Sequence, residues 1–374
     1  MALPGVLDPT PDHEAPAVLL ESDVATVPQW RLMARRFRKS KLAVASLIVL
    51  GILYLCAIFA TFLEPNHYDA QDANQANAAP SSWTWDKGPA ICTKTQYLDK
   101  SVYKFKYRSD CAHGAPIHFF GKGFHYKLFG LIPTDRHFMT VGKGQKLLIW
   151  GADREGRDIF ARSMAGARVS LTVGLLGVAI GTIVGATMGT VSGYFGGRVD
   201  TLIQRFIEIL LSIPTLPLWL TLAAVLPRDM SVTKRYLVIT LILSLVGWAG
   251  LARQVRGKVM SYVSSDYITA ARAAGSSRKR IIFTHLLPNA TSHIVATAML
   301  AVPATIIAET SLSFLGVGML PPAVSWGVLL TDAQDISTIE LYPWLLIPAG
   351  LVVVAVICFQ LIGDGLRDAV DPYG

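Results

Sequence analysis

The chain alternates between long uninterrupted apolar runs and polar segments, and this pattern sets its fold class before any motif is considered. A helix needs about 20 residues to cross a hydrocarbon core of about 30 Å. Apolar runs of that order occur at Leu42 to Phe62, Ser170 to Tyr194, Ile207 to Leu226, Tyr236 to Val255, His293 to Gly316 and Tyr342 to Ile362. The runs are continuous rather than alternating, and lipid offers no partner for an unpaired backbone group, so each predicts a spanning helix. The expected fold is an all-α integral membrane protein with six transmembrane helices. A secretory signal peptide is a poor reading of the first run, which lies far from Met1 and is not followed by a small-residue cleavage site.

Composition agrees. The 374 residues are 52% hydrophobic and only 16% charged, below the usual quarter for a soluble domain. Net charge is +8, which in a soluble protein would raise nucleic-acid binding; here it reads as positive charge on the cytoplasmic side, and no nucleic-acid partner is expected. The stretch Trp30 to Lys41 carries six positive charges and no acid, and the loop after the fourth run carries Arg253, Arg256, Lys258, Arg272, Arg278, Lys279 and Arg280 against Asp266. Val317 to Leu341 has no Lys or Arg but holds Asp332, Asp335 and Glu340, so it is expected outside, with both termini cytoplasmic. The short loop Pro227 to Arg235, with Arg228, Lys234 and Arg235, argues mildly the other way.

The resulting division is a cytoplasmic segment at 1–41, the first helix at 42–63 and an extracytoplasmic insertion at 64–168. A five-helix core follows at 169–364, with a cytoplasmic loop at 256–290, and then a cytoplasmic tail at 365–374. Within the insertion, Pro80 to Trp85 reads as irregular. Cys92 and Cys111 both fall there, whereas Cys56 and Cys358 lie in apolar runs. A disulfide between Cys92 and Cys111 would close a loop of about twenty residues and contribute about 3 kcal/mol in the chain-entropy picture, with two free thiols as the alternative. His113, His118, His125 and His137 match no zinc spacing and read as scattered surface histidines, so no metal site is expected.

Three runs carry further signals. Gly177, Gly181, Gly185, Gly189 and Gly193 recur at strict four-residue spacing, with Gly174 before them, which opens a groove for close packing of a second backbone. In the third run Arg205 and Glu208 share a face, and Pro214 and Pro217 then break or kink the helix. This is either a conformationally active element or a kink needed only for packing. Glu309 is an ionisable group inside the fifth run, either a functional group or a structural carboxylate bonded to backbone.

The loop after the fourth run reads as a compact helix-turn-helix. Asp266 is a good N-cap, Tyr267 to Ala274 forms a short Ala-rich helix, and Gly275 supplies the left-handed turn that ends it. Ser276 or Ser277 caps a second helix that stops before Pro288. Ala270, Ala271, Ala273 and Ala274 leave the backbone open to a docking groove, and Arg278, Lys279 and Arg280 offer charge to a partner or to anionic lipid. A protein-docking helix and a lipid-surface helix both fit.

These residues also resemble a known family. Asp266-Tyr-Ile-Thr-Ala-Ala-Arg-Ala-Ala-Gly275, then Arg280-Ile-Ile and His285-Leu-Leu-Pro-Asn289, is similar to the coupling-loop motif of ABC importer permeases of the peptide/nickel subfamily. Supporting blocks are Gly151-Ala-Asp153-Arg-Glu-Gly156-Arg157-Asp158 with Ser163, then Gly166-Ala-Arg168-Val-Ser-Leu171 and Gly193-Tyr-Phe-Gly-Gly-Arg-Val-Asp200. Leu312-Ser-Phe-Leu-Gly-Val-Gly318 and Gly363-Asp-Gly-Leu-Arg367-Asp-Ala-Val-Asp-Pro372 complete the set. The resemblance covers the chain from Gly151 onward, plus the basic start and the first run. Thr269 stands where the family usually has glutamate, and Ala152 where it usually has threonine.

The resemblance implies a permease subunit of the bacterial inner membrane, paired with a homologous second permease. Two ABC ATPase subunits would dock below, and an extracytoplasmic solute-binding protein would deliver cargo. Asp266, Tyr267, Thr269, Ala270, Ala271, Arg272, Ala274, Gly275 and Arg280 would form the ATPase-coupling elbow, and Arg205, Glu208, Pro214, Pro217 and Glu309 the gating or pathway candidates. Peptides lead as cargo, with nickel chelates and oligosaccharides open. No role carries over to the insertion, for which docking of a binding protein and plugging of the channel mouth stay open. No phosphate loop occurs, since Gly142-Lys-Gly144 lacks the spacing, so the chain is expected to be neither the ATPase nor an enzyme and to hold no cofactor. A secondary transporter would need paired mid-membrane charges and an internal repeat, and an intramembrane hydrolase a nucleophile–base pair; none of these signals is present.

Overall fold

The computed structural model describes residues 29–85, 88–100, 104–142 and 145–370. The side chain of His113, Lys143 and Gly144 of the Gly142-Lys-Gly144 stretch, and Asp371 and Pro372 of the tail motif lie outside what is described, as do residues 1–28.

A basic helix, α1 (Gln29–Lys39), leads through Ser40 into α2 (Lys41–Ile58), and the Ser40 hydroxyl accepts the Ala43 N–H as an N-cap. A break at Phe59 separates the short α3 (Ala60–Leu63). The insertion follows, and here the all-α expectation is corrected, because it is built of strands: β1 (Trp83–Thr84), β2 (Ala90–Asp99), β3 (Lys104–Phe119), β4 (Lys122–Leu128), β5 (Ile132–Arg136) and β6 (Met139–Val141). They form an antiparallel sheet in the order β1-β2-β3-β6 and a separate β4–β5 hairpin. Trp83 and Thr84, expected irregular, pair with Ile91 and Ala90. The sheet hides Ile91, Ala115, Ile117 and Leu147 in one small core, and Cys92 is buried as well. Cys92 and Cys111 are bonded to each other across β2 and β3, with Cα atoms 4.2 Å apart. His137 is not a surface histidine. It is fully buried, with its ring nitrogens 3.0 Å from the carbonyls of Thr61 and Phe124, and so ties the sheet region to the end of the first span.

The helical part continues with α4 (Ile159–Phe195), α5 (Gly197–Ser212), α6 (Thr215–Ala224), α7 (Val232–Val263), α8 (Asp266–Ala273) and α9 (Arg278–Phe314). Short α10 (Trp326–Leu329) and α11 (Ile336–Leu341) precede α12 (Ile347–Val370). Among the described residues, five helical segments are long and apolar enough to cross a membrane, namely α2, α4, α7, α9 and Pro343–Val370. A sixth span arises only if α5 and α6, bent by 81° at their junction, count as one. The break expected within the run Ile207 to Leu226 is therefore present, and it divides the run into a bent pair. Pro214 has no N–H and pushes Ile213 into extended geometry (φ −89°, ψ 127°), which ends α5. Pro217 breaks nothing, since it lies in the first turn of α6, where amide donors are unpaired anyway.

The second span starts earlier than its apolar run. The Asp158 carboxylate accepts the amides of Phe160 and Ala161, so α4 begins at Ile159, and a boundary at residue 168 cuts through a helix. Charged residues around that start are buried or half-buried: Arg162 of the first turn donates to Asp153 at 3.0 Å, and Arg157, just before the helix, donates to the same carboxylate at 2.8 Å. At the other end of the chain the last helix runs to Val370, through what had read as the start of a tail.

The glycine stripe lies against α7. A Cβ placed on Gly185 would sit 2.7 Å from the Trp248 carbonyl oxygen, and one on Gly193 would sit 2.9 Å from that of Arg256. Gly189 meets Val255 at 2.9 Å, and Gly181 faces the Trp248 amide at 3.6 Å. Gly177 turns toward α9 instead, 3.2 Å from the Thr305 methyl, so the stripe serves two neighbours rather than one. Gly185→Leu forces the Trp248 backbone away and is expected to destabilise the fold by about 1–3 kcal/mol, read as a lower thermal midpoint in detergent. An unchanged midpoint contradicts this packing.

Where the first span meets the insertion, two carboxyls are buried. Asn66 donates to Asp158 at 2.9 Å and to the Leu147 carbonyl at 2.8 Å. Burial pushes Glu64 up to about 8, with Asp158 adding to the rise and Arg168 opposing it. Burial likewise pushes Asp158 up to about 7, against hydrogen bonds from Asn66 and the α4 amides. Carboxyls raised in the folded state hold protons that the unfolded chain has released, so their contribution is full below about pH 4 and falls away as pH rises through about 7 to 8. Glu64→Gln, which cannot ionise, is expected to flatten the decline of the thermal midpoint across that window. The same slope in both proteins overturns the assignment.

Candidate functional site: the helical elbow

The elbow connects α7 to α9 and closes on itself through short-range chemistry. Ser265, not Asp266, occupies the N-cap position of α8, and its hydroxyl donates to the Tyr262 carbonyl at 2.5 Å rather than capping. Asp266 is the first helical residue, where its charge complements the amide end of the helix. Gly275 takes φ +76°, and Ser276 N–H reaches back to the Ala271 carbonyl at 3.0 Å, closing the helix through a left-handed turn. Ser277 then caps the next helix by accepting the Arg280 amide at 3.4 Å.

That next helix does not stop before Pro288. From Ile281 to Leu286 the coil widens to π geometry, with Leu287 N–H bonded to the Ile282 carbonyl, and α9 runs on to Phe314. A widened turn makes room for the proline ring against the preceding turn, where a regular α-helix would kink. The elbow is thereby joined without interruption to a membrane-length helix.

Its two faces differ. Ile268 is fully buried among Val255, Val259, Ile281, Leu286 and Ala290, which pins α8 to both flanking helices. The Tyr267 hydroxyl accepts from Asn289 at 3.2 Å, and Asn289 also donates to the His285 carbonyl at 2.8 Å. The Arg272 guanidinium lies 5.5 Å from the Tyr194 ring centre, and that of Arg278 lies 5.8 Å from Phe195, so two cations rest on the end of α4. Thr269, Ala270, Ala273, Ala274 and Arg280 are exposed, whereas Ala271 is half-buried and turns away from the open face. What the elbow offers is a small surface of short side chains on a segment fixed to α4, α7 and α9.

A polar clasp beside it had no counterpart in the sequence reading. Arg256 of α7 grips Asp200 of α5 with two bonds of 2.6 Å, and Asp200 also accepts the Ser192 hydroxyl of α4 at 2.5 Å. Asp200 and Arg256 stand 56 positions apart, and only the fold brings them together. The elbow, the clasp and the glycine stripe meet at one end of the bundle.

The gating candidates are not gathered at that end. Arg205 and Glu208 pair with each other at 2.9 Å on an exposed face of α5, where such a pair is worth little. Glu309 is fully buried and is held by hydroxyls rather than by backbone. Ser170 of α4 donates to it at 3.1 Å and Ser313 at 2.8 Å, with Ser325 a third partner. Ser170 in turn accepts the Trp326 amide at 3.1 Å, so the carboxylate locks α4, α9 and α10 together. Arg235 is not a free loop charge: it is buried and donates to the Gly318 carbonyl at 3.0 Å. Among the described residues no three His, Cys, Asp or Glu side chains converge as metal ligands.

Comparison with known proteins follows the same outline. The family described as binding-protein-dependent transport system inner membrane component matches residues 177–373, and the N-terminal TM domain of oligopeptide transport permease C matches residues 28–80. The oligopeptide transport system permease protein OppC of Haemophilus influenzae is 32% identical over 344 residues, covering 92% of this chain and 88% of that protein. The dipeptide transport system permease protein DppC of Bacillus subtilis is 31% identical over 369 residues, covering 98% and 92%. The OppC of Escherichia coli K12 is 33% identical over 344 residues, covering 92% and 91%. The chain belongs to the binding-protein-dependent inner membrane components, the permease subunits of ABC importers.

Proposed function

We propose that this chain is one of two permeases in an ATP-driven importer of peptides, and that the elbow is the handle by which separate ATPase subunits move it. The observation that carries the reading is the two-faced elbow: Ile268 fixes it to α7 and α9, while Thr269, Ala270, Ala273 and Ala274 stand free for a partner groove. Peptides are favoured because the similar proteins named above are oligopeptide and dipeptide permeases.

In this reading the chain crosses the bacterial inner membrane six times, with α5 and α6 as one bent span. Both termini and the elbow face the cytoplasm, in line with the basic elbow loop and the acidic Val317 to Leu341 segment. The strand-built insertion lies outside, within reach of an extracytoplasmic solute-binding protein. Closure of the ATPases pushes α8, and the force enters α7 and α9 through Ile268 and α4 through Arg272 and Arg278. The bend at Pro214 is the hinge that this motion works, and Glu309 is a strut that keeps α4 and α9 moving together rather than a lining of the path.

Ala270→Trp fills the exposed face without touching the buried one. In vesicles containing both permeases and the ATPases, it is expected to reduce ATP-driven peptide uptake at least about tenfold, equivalent to about 1.4 kcal/mol of seating energy, with the complex still assembled. Full uptake by that variant excludes the elbow as the handle.

A further inference from the structure

The β4–β5 hairpin turns at Lys127-Leu-Phe-Gly-Leu-Ile132, and its tip is apolar and bare. Phe129 is 56% exposed, Leu131 82% and Ile132 57%, an unusual gathering for a loop surrounded by water. The hairpin does not project away from the helices. The Phe129 ring lies 5.5 Å from that of Phe59, at the end of the first span. Leu128, Phe129 and Gly130 share a cleft of about 530 Å³ with Tyr54, Ile58 and Leu171. Tyr54 lies a full turn inside α2, about 6 Å below Ile58, so the cleft reaches from the tip down along the helix, and the tip itself lies beside the helix end at Phe59.

The surface it joins is already apolar. Ile48, Ile52, Leu55 and Ile58 are exposed along α2, and the hairpin tip continues that band beyond the helix. Phe119 and Phe120, also exposed, widen it, and Phe120 lies 6.0 Å from Phe62 at the head of the insertion. Lys127 adds a cation, and the segment from 127 to 132 contains no acid, which suits a zone of phosphates. The backbone sets the depth. Gly130 N–H bonds to the Lys127 carbonyl and Leu131 N–H to that of Leu128, each at 3.1 Å, so the turn satisfies itself. A two-stranded ladder still has open edges, which excludes it from the hydrocarbon core but not from the headgroup boundary.

We infer that the tip of this hairpin is a membrane anchor, seated in the headgroup boundary of the leaflet on the insertion side, with phospholipid as its partner. It holds the sheet domain down against the ends of α2 and α4. The inference rests on α2 and α4 spanning the membrane, but not on which side the insertion faces.

The test places an environment-sensitive fluorophore on Leu131→Cys in a Cys56→Ala, Cys358→Ala background, with Thr95→Cys on β2 as the exposed control. The full chain is assembled with its partner permease in phospholipid nanodiscs. Nitroxide-bearing lipid is expected to quench the Leu131 label several-fold more than the Thr95 label, and aqueous iodide several-fold less. Equal iodide quenching at both positions puts the tip in water and overturns the inference. Protection from both quenchers puts it under protein, namely the second permease, and overturns it equally. Nanodiscs expose both leaflets, so this result is blind to orientation. The side on which the insertion lies is read separately, from labelling of Thr95→Cys by an impermeant thiol reagent in sealed vesicles.

Discussion

The backbone of α4 touches the backbone of α7, and the rest of the bundle is arranged around that contact. Between helices in lipid there is no hydrophobic gain from association, so cohesion must come from close approach and from polar groups that find each other. Gly185, Gly189 and Gly193 supply the approach by removing side chains where Trp248, Ala252 and Arg256 present carbonyl oxygens. Polar locks complete it at the two ends. Asp153, Arg157 and Arg162 fasten the head of α4 to the loop before it, and Asp200, Arg256 and Ser192 fasten its tail to α5 and α7. A helix held so tightly along its length moves as one piece, which the proposed action of the elbow on its end requires.

The helical core was legible in the sequence because its signals are local. A continuous apolar run has only one spanning conformation open to it, and glycines four apart mark a groove whatever the partner. The elbow was legible for the same reason: Gly275 between an Ala-rich segment and a serine cap predicts a turn between two helices, and the structure has φ +76° there. The boundaries were less legible. α4 begins eleven residues before its apolar run because Asp158 caps it and the buried Asp153 neutralises Arg162, a compensation no hydropathy average registers.

Other parts were hidden for separate reasons. The strands of the insertion carry an alternating pattern, as in Phe105 and Tyr107 between Lys104, Lys106 and Arg108, but the charge of that segment masks it when one is searching for apolar runs. Pro288 reads as a stop because a proline normally ends a helix, and only the widened turn before it shows how α9 continues. For Glu309 the sequence offered a structural carboxylate as one alternative, but not its partners across the fold, since Ser170 lies 139 positions away.

In the proposed mechanism, the placement of these locks decides how a push on the elbow is distributed. Ile268 and the two cation–ring contacts reach α4, α7 and α9 directly, and Ser170, Glu309 and Ser313 tie α4 to α9 again at the far end. Those three helices therefore form a frame braced at both ends. The α5–α6 pair is clasped to the frame near Asp200 and packs on α7 through Ile207, which is buried against Trp248, Ala249 and Ala252, and beyond that contact lies the 81° bend. A rigid frame carrying an arm with a break in it concentrates displacement at the break. Extended backbone at Ile213 and the missing amide of Pro214 place that joint where no intrahelical hydrogen bond has to break for it to flex.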